Sequence, residues 1–126
     1  MTRHILVVDD NPTNLKLAMC VLELEGHRVD QATDAEQALA FLGDVVPDLI
    51  LMDISLPGMD GLTLTRKLKE QDRFRSVPIV ALTAFAMKGD EERAREAGCD
   101  GYIAKPIDTR AFPAQVAAYL RGVDRT

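Results

Sequence analysis

Five short apolar runs separate segments of helical periodicity, and this alternation constrains the fold more than any other feature of the chain. The runs lie at residues 5–8, 28–31, 49–52, 79–82 and 102–104. Those at 5–8 and 49–52 are apolar at every position, which suits strands buried on both faces of a sheet. Strands that alternate with helices form parallel sheets with right-handed crossovers. The pattern therefore predicts an α/β fold, a doubly wound sheet of five parallel strands with five helices.

Start and stop signals delimit the first three helices. Asn11 can cap a helix and Pro12 suits its first turn, while Gly26 is a typical helix end. Asp34 is expected to start the second helix, and residues 60–61 to open the third.

The later helices carry two irregular features. Leu64 fits the apolar stripe of the third helix poorly. The fourth helix is expected at about residues 88–97, and Gly98 should end it. The fifth is expected to begin near Asp108 and to end before Gly122. Pro113 would then lie inside it and should distort its first turns.

Length and charge exclude several functional classes. The chain has 126 residues, enough for one domain, and 47% of them are apolar. Fifteen basic against twenty acidic residues give a net charge of −5, which argues against direct nucleic-acid binding. The basic cluster Arg66, Lys67 and Lys69 is interpreted as a solvated helix face. No apolar run approaches the roughly 18 residues of a membrane span, so no membrane contact is expected.

Cysteine and histidine usage suggests neither a disulfide framework nor a separate metal site. The N-terminus has no signal-peptide pattern, so we expect a cytoplasmic protein in which Cys20 and Cys99 are reduced thiols. His4 and His27 lack partners at metal-ligand spacing and are interpreted as structural or surface residues.

Polar residues follow the predicted strands at the end where ligands gather in open parallel sheets. They are Asp9 and Asp10 after the first strand, Asp53 after the third, Thr83 after the fourth, and Lys105 and Pro106 after the fifth. We therefore expect three carboxylates, a hydroxyl and an ammonium group at one edge of the sheet.

Such a cluster needs a cation. Two unit charges ~4 Å apart repel by about 4 kcal/mol at an effective dielectric constant of ~20. A divalent ion removes this penalty, and an all-oxygen ligand set suits Mg²⁺. Because Mg²⁺ commonly bridges carboxylates and phosphate oxygens, a phosphoryl ligand is expected as well. Lys105 and Thr83 would then supply a positive charge and a hydroxyl donor for its remaining oxygens.

In order and spacing, these residues resemble the response-regulator receiver family, and residues 56–61 (LPGMDG) match that family's loop after the acceptor strand. The resemblance covers essentially all of residues 1–126 as a single domain. It implies a flavodoxin-like (CheY-like) sheet with strand order 2-1-3-4-5. Residues 83–93 (TAFAMKGDEER) are similar to stand-alone DivK-type regulators of cell division and polarity.

The resemblance implies a role for each acidic residue. Asp53 would be the nucleophile that takes a phosphoryl group from a kinase phosphohistidine. Asp10 and Asp53 would bind Mg²⁺ directly, together with the backbone carbonyl of Ser55, and Asp9 would act mainly through water. Mn²⁺ would be able to substitute for Mg²⁺.

It also implies how the signal is passed on. Lys105 would neutralise the phosphoryl oxygens, and a cis peptide bond before Pro106 would aim it at the site. Thr83 would swing toward the phosphoryl group, and Tyr102 would turn inward with it. Ser55 and Phe85 would lie nearest the path of a hydrolytic water. Neither can act as a base there, so the phosphorylated form should last minutes or longer.

The expected partners follow from the same resemblance. They are a histidine kinase or a histidine phosphotransfer protein, and a downstream protein that binds the face formed by the fourth helix, fifth strand and fifth helix. The chain would be a phospho-accepting regulator rather than an enzyme, either a monomer or a phosphorylation-dependent dimer. The fourth helix is highly charged and buries little, so it should move at low cost.

Three alternatives remain at this point. An aspartyl phosphatase would need an acid two residues after its nucleophile, where this chain has Ser55. A flavin-binding carrier would place a phosphate near the first loop, where Asp9 and Asp10 would repel it. The chain could also be a receiver excised from a hybrid kinase or a multidomain transcription regulator. Residues 122–126 are too few to show a linker, which favours a stand-alone protein.

Overall fold

The computed structural model describes residues 3–54, 61–83, 88–104 and 107–124. Its strands are β1 (His4–Val8), β2 (Arg28–Ala32), β3 (Leu49–Asp53), β4 (Ile79–Thr83) and β5 (Gly101–Ala104). Its helices are α1 (Pro12–Leu24), α2 (Ala35–Leu42), α3 (Gly61–Lys69), α4 (Lys88–Ala97) and α5 (Phe112–Asp124), with a 3₁₀ turn at Asp72–Phe74.

The described strands form one sheet in the order β2-β1-β3-β4-β5, and all neighbours are parallel. This confirms the predicted architecture and strand order. Each predicted run lies within an observed strand, which extends it by one residue or more. All five residues of β3 are buried, as a central strand covered on both faces requires.

Two core layers cover the faces of this sheet. One contains buried residues of α2, α3 and α4, including Leu42, Leu68 and Ala97. The other contains buried residues of α1 and α5, including Leu22 and Phe112. The helices therefore cover the sheet from both sides, and in this architecture ligands bind at the carboxyl-terminal edge.

The predicted helix boundaries hold for α1, α2 and α4. The side chain of Asn11 accepts hydrogen bonds from the first turn of α1, and that of Asp34 accepts one from Gln37 N. Gly26 and Gly98 follow their helices with φ of 89° and 107°, a region that favours glycine.

Leu64 is fully buried, so its poor fit to the apolar stripe was misleading. The buried face of α3 also includes the polar residue Thr65, whose hydroxyl donates to the carbonyl of Gly61 (2.8 Å). Because this bond satisfies the hydroxyl, Thr65 can be buried beside Leu64 and Leu68.

The prediction for the fifth helix was wrong at both ends. Asp108 does not begin α5; its carboxylate accepts hydrogen bonds from Arg110 N (2.9 Å) and Ala111 N (3.4 Å) in the preceding turn. Pro113 is therefore the second residue of α5, where a missing N–H removes no helical hydrogen bond, and no distortion is required. The helix also continues through Gly122.

Lys69 does not belong to a solvated face, although Arg66 and Lys67 are exposed as expected. Its side chain is only 17% exposed and lies against Gly98. The ammonium group donates to the carbonyl of Val77 (2.8 Å) and to Asp100 (2.9 Å). Lys69 thus ties the end of α3 to the start of β4 and the turn before β5.

The expectations for the two cysteines and for His4 agree with the structure. Cys20 and Cys99 are free thiols, the first exposed and the second buried. His4 is a structural residue whose Nε2 lies 2.6 Å from the carboxylate of Asp30 and whose ring packs edge-on against Phe41. Within the described ranges, none of the helices has the length and apolar character needed to cross a membrane.

Candidate functional site

The sheet register places Asp9 and Asp53 side by side. Val8 of β1 lies opposite Met52 of β3, so the residue after each emerges at the same level of the carboxyl-terminal edge. Asp53 is the last residue of β3, and Asp9 directly follows β1. Adjacent parallel strands of equal register therefore bring together two carboxylates that are 44 residues apart in the sequence.

Asp10 completes an acidic cluster. One carboxylate oxygen from each of Asp9, Asp10 and Asp53 lies within 4.8 Å of the others. Asp9 and Asp53 are only 1% and 4% exposed, whereas Asp10 is exposed. Partly desolvated carboxylates at this distance repel strongly, and a cation between them would relieve the repulsion. Three carboxylate oxygens this close together suit a hard divalent ion such as Mg²⁺.

The start of α1 holds Asp9 in place. Its backbone N–H donates to the carbonyl of Ala32 (3.0 Å), and its Oδ1 accepts from the N–H of Asn11 (2.9 Å). Asn11 in turn caps α1 through hydrogen bonds from Thr13 N and Asn14 N. The helix cap and the acidic cluster are therefore one connected structure, a link the sequence analysis did not identify.

The start of α3 packs against the main chain at Asp53. Ile54 N–H donates to the carbonyl of Leu82 (3.2 Å), and Gly61 N–H donates to that of Ile54 (3.4 Å). A Cβ at Gly61 would overlap the carbonyl oxygen of Asp53. In the sequence, Gly61 was interpreted as a helix opening and as the last residue of the loop motif at 56–61, and neither interpretation predicts this contact. A glycine eight residues after a site aspartate was the available signal for this close approach.

The structure describes the positions of two of the other predicted site residues, Thr83 and Tyr102. Asp53 lies opposite Leu82, so Thr83 follows one residue later on the neighbouring strand. Tyr102 lies opposite Ala81, and its half-buried side chain packs against the core layer of α2, α3 and α4. The predictions for Ser55, Phe85, Lys105 and Pro106 fall outside the described residues and stay predictions.

A 2-1-3-4-5 parallel sheet with an acidic cluster at its carboxyl edge defines a class of signalling domain. Residues 5–117 match the family of response regulator receiver domains, and the chain belongs to that family. It is 43% identical over 120 residues to the polar-differentiation response regulator DivK of Brucella ovis, which covers 95% of this chain and 98% of that protein.

Two solved structures are similar in fold and sequence. The signal receiver domain of a signal transduction histidine kinase from Syntrophus aciditrophicus has a TM-score of 0.89 and 35% identity, over 98% of this chain and 94% of that one. The receiver domain of a sensor histidine kinase from Pseudomonas aeruginosa has a TM-score of 0.87 and 36% identity, over 96% and 99%. That receiver has a magnesium ion coordinated in its active-site cleft.

Family membership confirms the resemblance derived from the strand-end residues. The chain is a receiver domain of a two-component response regulator, a phospho-accepting regulatory class. The comparisons give no support to an aspartyl phosphatase or a flavin carrier. They also do not favour a receiver excised from a hybrid kinase or transcription regulator over a DivK-like regulator.

Proposed function

We propose that Asp53 is the phosphoryl acceptor of this receiver and that it takes the group from a phosphohistidine. The donor would be a histidine kinase or a histidine phosphotransfer protein. One observation carries this proposal: the carboxylates of Asp9, Asp10 and Asp53 meet within 4.8 Å, with Asp53 at the end of the central strand. No other described residues form such a group of potential metal ligands.

The transfer step follows from the chemistry of these groups. A carboxylate oxygen of Asp53 attacks phosphorus as the bond from phosphorus to the donor imidazole nitrogen breaks. The bonding electron pair leaves with that nitrogen, and an acyl phosphate forms on Asp53. Such a transfer depends mainly on positioning and on electrostatic stabilisation of the oxygens. Burial of Asp53 in a fixed strand end supplies the positioning.

We assign Mg²⁺ to Asp9, Asp10 and Asp53, with Ser55 contributing its backbone carbonyl as the family resemblance implies, and Mn²⁺ as a substitute. When bound, the ion neutralises the charge that develops on the phosphoryl oxygens. Asp9 already accepts the N–H of Asn11 through Oδ1, which suits a role through water rather than direct ligation. The magnesium ion in the similar Pseudomonas receiver supports the assignment.

Lys105 is the counter-charge for the phosphoryl oxygens in this proposal, and the peptide bond before Pro106 orients it. Thr83 follows Leu82, which lies opposite Asp53, and this position suits a hydroxyl that reaches the phosphoryl group. Tyr102 lies on the next strand, two levels below the end of β5. We propose that Thr83 and Tyr102 respond together when Asp53 is phosphorylated.

The output surface in this proposal is the face of α4, β5 and α5. Among residues 92–97 of α4, Ala94 and Ala97 are buried, and Glu92, Arg93, Arg95 and Glu96 are exposed. A helix that buries two small side chains over this stretch can shift at little cost in buried area. We propose that residues 1–126 form one cytoplasmic receiver domain that binds a downstream protein rather than nucleic acid, as a monomer or a phosphorylation-dependent dimer.

Labelling with acetyl phosphate tests this function. The wild-type protein should gain an acid-stable, hydroxylamine-labile phosphoryl group when Mg²⁺ is present and none when it is chelated. Asp53→Asn should abolish the label because an amide oxygen is a far weaker nucleophile. Asp10→Ala should weaken Mg²⁺ binding strongly in a metal titration.

Asp44→Asn is the matched control, since Asp44 is an exposed carboxylate in the turn after α2. It should label and bind Mg²⁺ like the wild type. Undiminished labelling of Asp53→Asn would place the acceptor elsewhere. An unchanged titration of Asp10→Ala would remove that residue from the metal site.

A further inference from the structure

Tyr119 of α5 makes two contacts with β5. Its ring lies directly against the Cα of Gly101, where an added Cβ would overlap the hydroxyl oxygen, Cζ and Cε1 of the ring. Its hydroxyl oxygen accepts a hydrogen bond from the backbone N–H of Tyr102 (3.3 Å). The side chain of Tyr119 is half-buried and packs against the core layer of α1 and α5.

The second contact protects an edge of the sheet. β5 pairs with β4 on one side and comes last in the sheet order, so none of the described strands lies along its outer edge. Edge N–H groups are exposed to water or to another chain unless a side chain or helix covers them. Here a phenol from α5 covers the N–H of Tyr102.

Tyr102 therefore makes contacts on both faces of the sheet, one through its side chain and one through its backbone. Its side chain packs in the core layer of α2, α3 and α4, on one face of the sheet. Its backbone is bonded to Tyr119, which packs in the layer on the opposite face. Any displacement of β5 at Tyr102 must either move α5 with it or break the bond to the Tyr119 hydroxyl.

We propose that Tyr119 is a positioning residue. It couples the main chain of Tyr102 to α5. The absence of a side chain at Gly101 is what allows the phenol to reach the strand. This inference rests on the proposed function, in which Tyr102 responds to phosphorylation of Asp53. It adds the path by which that response reaches the outer helix.

Two substitutions break the contact in different ways. Tyr119→Phe removes the hydroxyl and keeps the ring. Gly101→Ala adds a methyl group that displaces the ring, and φ of Gly101 is not positive, so alanine fits the backbone. Because the ring is the far end of a side chain, it can swing outward while the strand stays folded. Gln115→Ala, at an exposed position of α5, is the control.

Hydrogen exchange of the Tyr102 amide, followed by NMR, tests the bond without any phosphorylation. Loss of one hydrogen bond at a sheet edge should accelerate exchange about tenfold in both variants. Gln115→Ala should exchange like the wild type. Wild-type exchange rates in both Tyr119→Phe and Gly101→Ala would overturn the proposal.

The coupling itself is tested with Mg²⁺ and beryllium trifluoride, a phosphoryl analogue. Tyr119→Phe should take up the analogue with wild-type affinity, but the chemical-shift response of α5 amides should fall to less than half. An α5 response equal to that of the wild type would overturn the coupling. If the wild-type protein itself shows no response at Asp53, the proposed function fails, and the exchange rates still decide whether Tyr119 holds Tyr102.

Discussion

The main chain of Asp53 is in direct contact with Gly61, so closely that Gly61 has no room for a side chain. A Cβ at Gly61 would lie 2.8 Å from Cα of Ile54 and closer still to the carbonyl oxygen of Asp53. Gly61 is also the first residue of α3. The start of that helix is therefore held against the end of the strand that carries Asp53, the proposed acceptor.

Replacement of Gly61 by alanine should damage both stability and phosphoryl transfer. The neighbouring atoms belong to the backbone and cannot swing away, so β3 and α3 must separate. Overpacking of this kind typically costs about 1–3 kcal/mol of unfolding free energy. We expect a lower midpoint of denaturant unfolding and slower labelling by acetyl phosphate at saturating Mg²⁺.

Gly43→Ala provides the comparison. Gly43 follows α2 with helical φ and ψ of −60° and −34°, and an added Cβ there would lie 3.4 Å from its nearest neighbour, the carbonyl oxygen of Ala40. The unfolding free energy of the Gly43→Ala variant should be unchanged or higher by about 0.4–1 kcal/mol, because alanine restricts the conformations of the unfolded chain. If Gly61→Ala and Gly43→Ala unfold at the same denaturant concentration and are labelled at the same rate, the contact of Gly61 with Asp53 does not constrain the site.

Lys69→Met should be strongly destabilising for a residue on an outer helix. It removes the ammonium group that bonds to Asp100 and to the carbonyl of Val77 and leaves both acceptors without it. A hydrogen bond to a charged group contributes about 1.5–3 kcal/mol to stability. We therefore expect the unfolding free energy, measured by chemical denaturation, to fall by on the order of 2 kcal/mol.

Lys67→Met tests the same change of charge at an exposed position of α3. Its unfolding free energy should stay within about 0.5 kcal/mol of the wild type. If the two lysine variants lose the same stability, the bonds of Lys69 contribute nothing beyond its charge.

Burial lowers the pKa of His27 below its ordinary value of 6.5, and Arg3 and the N-terminus act in the same direction against Glu25. The Nδ1 atom is buried and has no hydrogen-bond partner among the described residues. Below pH 6.5 the unfolded chain therefore binds a proton that the folded chain still rejects. Stability contributed by neutral His27 is present above 6.5 and falls as the pH drops toward the folded pKa.

His27→Gln should remove this dependence. Unfolding free energies measured from pH 7.5 to 5 should decline less in the variant, and the difference between the two curves should develop only below about pH 6.5. Carboxylate titrations are common to both proteins and cancel in the difference. A constant difference across the whole range would contradict a lowered pKa.

The phosphorylated form should be long-lived, for a reason visible in the sequence. Ser55 and Phe85 stand two residues after Asp53 and Thr83, and neither offers a base for a hydrolytic water. General-base assistance of about 10²-fold should be missing, so the label should persist for minutes or longer. Adding an amide and an acid, in the double variant Ser55→Asn with Phe85→Glu, should accelerate its loss. A wild-type lifetime of seconds would refute this.

The sequence alone was sufficient for the layout of this protein. Periodicity and capping residues such as Asn11 and Asp34 are local signals, because a helix or buried strand is encoded by its own residues. Parallel strands have their carboxyl ends at the same edge of the sheet. The proximity of Asp9, Asp10 and Asp53 could therefore be predicted from their positions at strand ends. The start of α5 could not be predicted in this way. The carboxylate of Asp108 accepts hydrogen bonds from the backbone of the following turn, and this competes with helix formation at the same residues.

Contacts between distant segments were decided only by the tertiary structure. Lys69 looks like an exposed polar residue in a helix, and its side chain is largely buried because Val77 and Asp100, in distant segments, accept its hydrogen bonds. Gly61 and Gly101 look like ordinary glycines until α3 and α5 pack against β3 and β5. Close packing depends on which surfaces meet across the fold, and no local pattern of residue types carries that information.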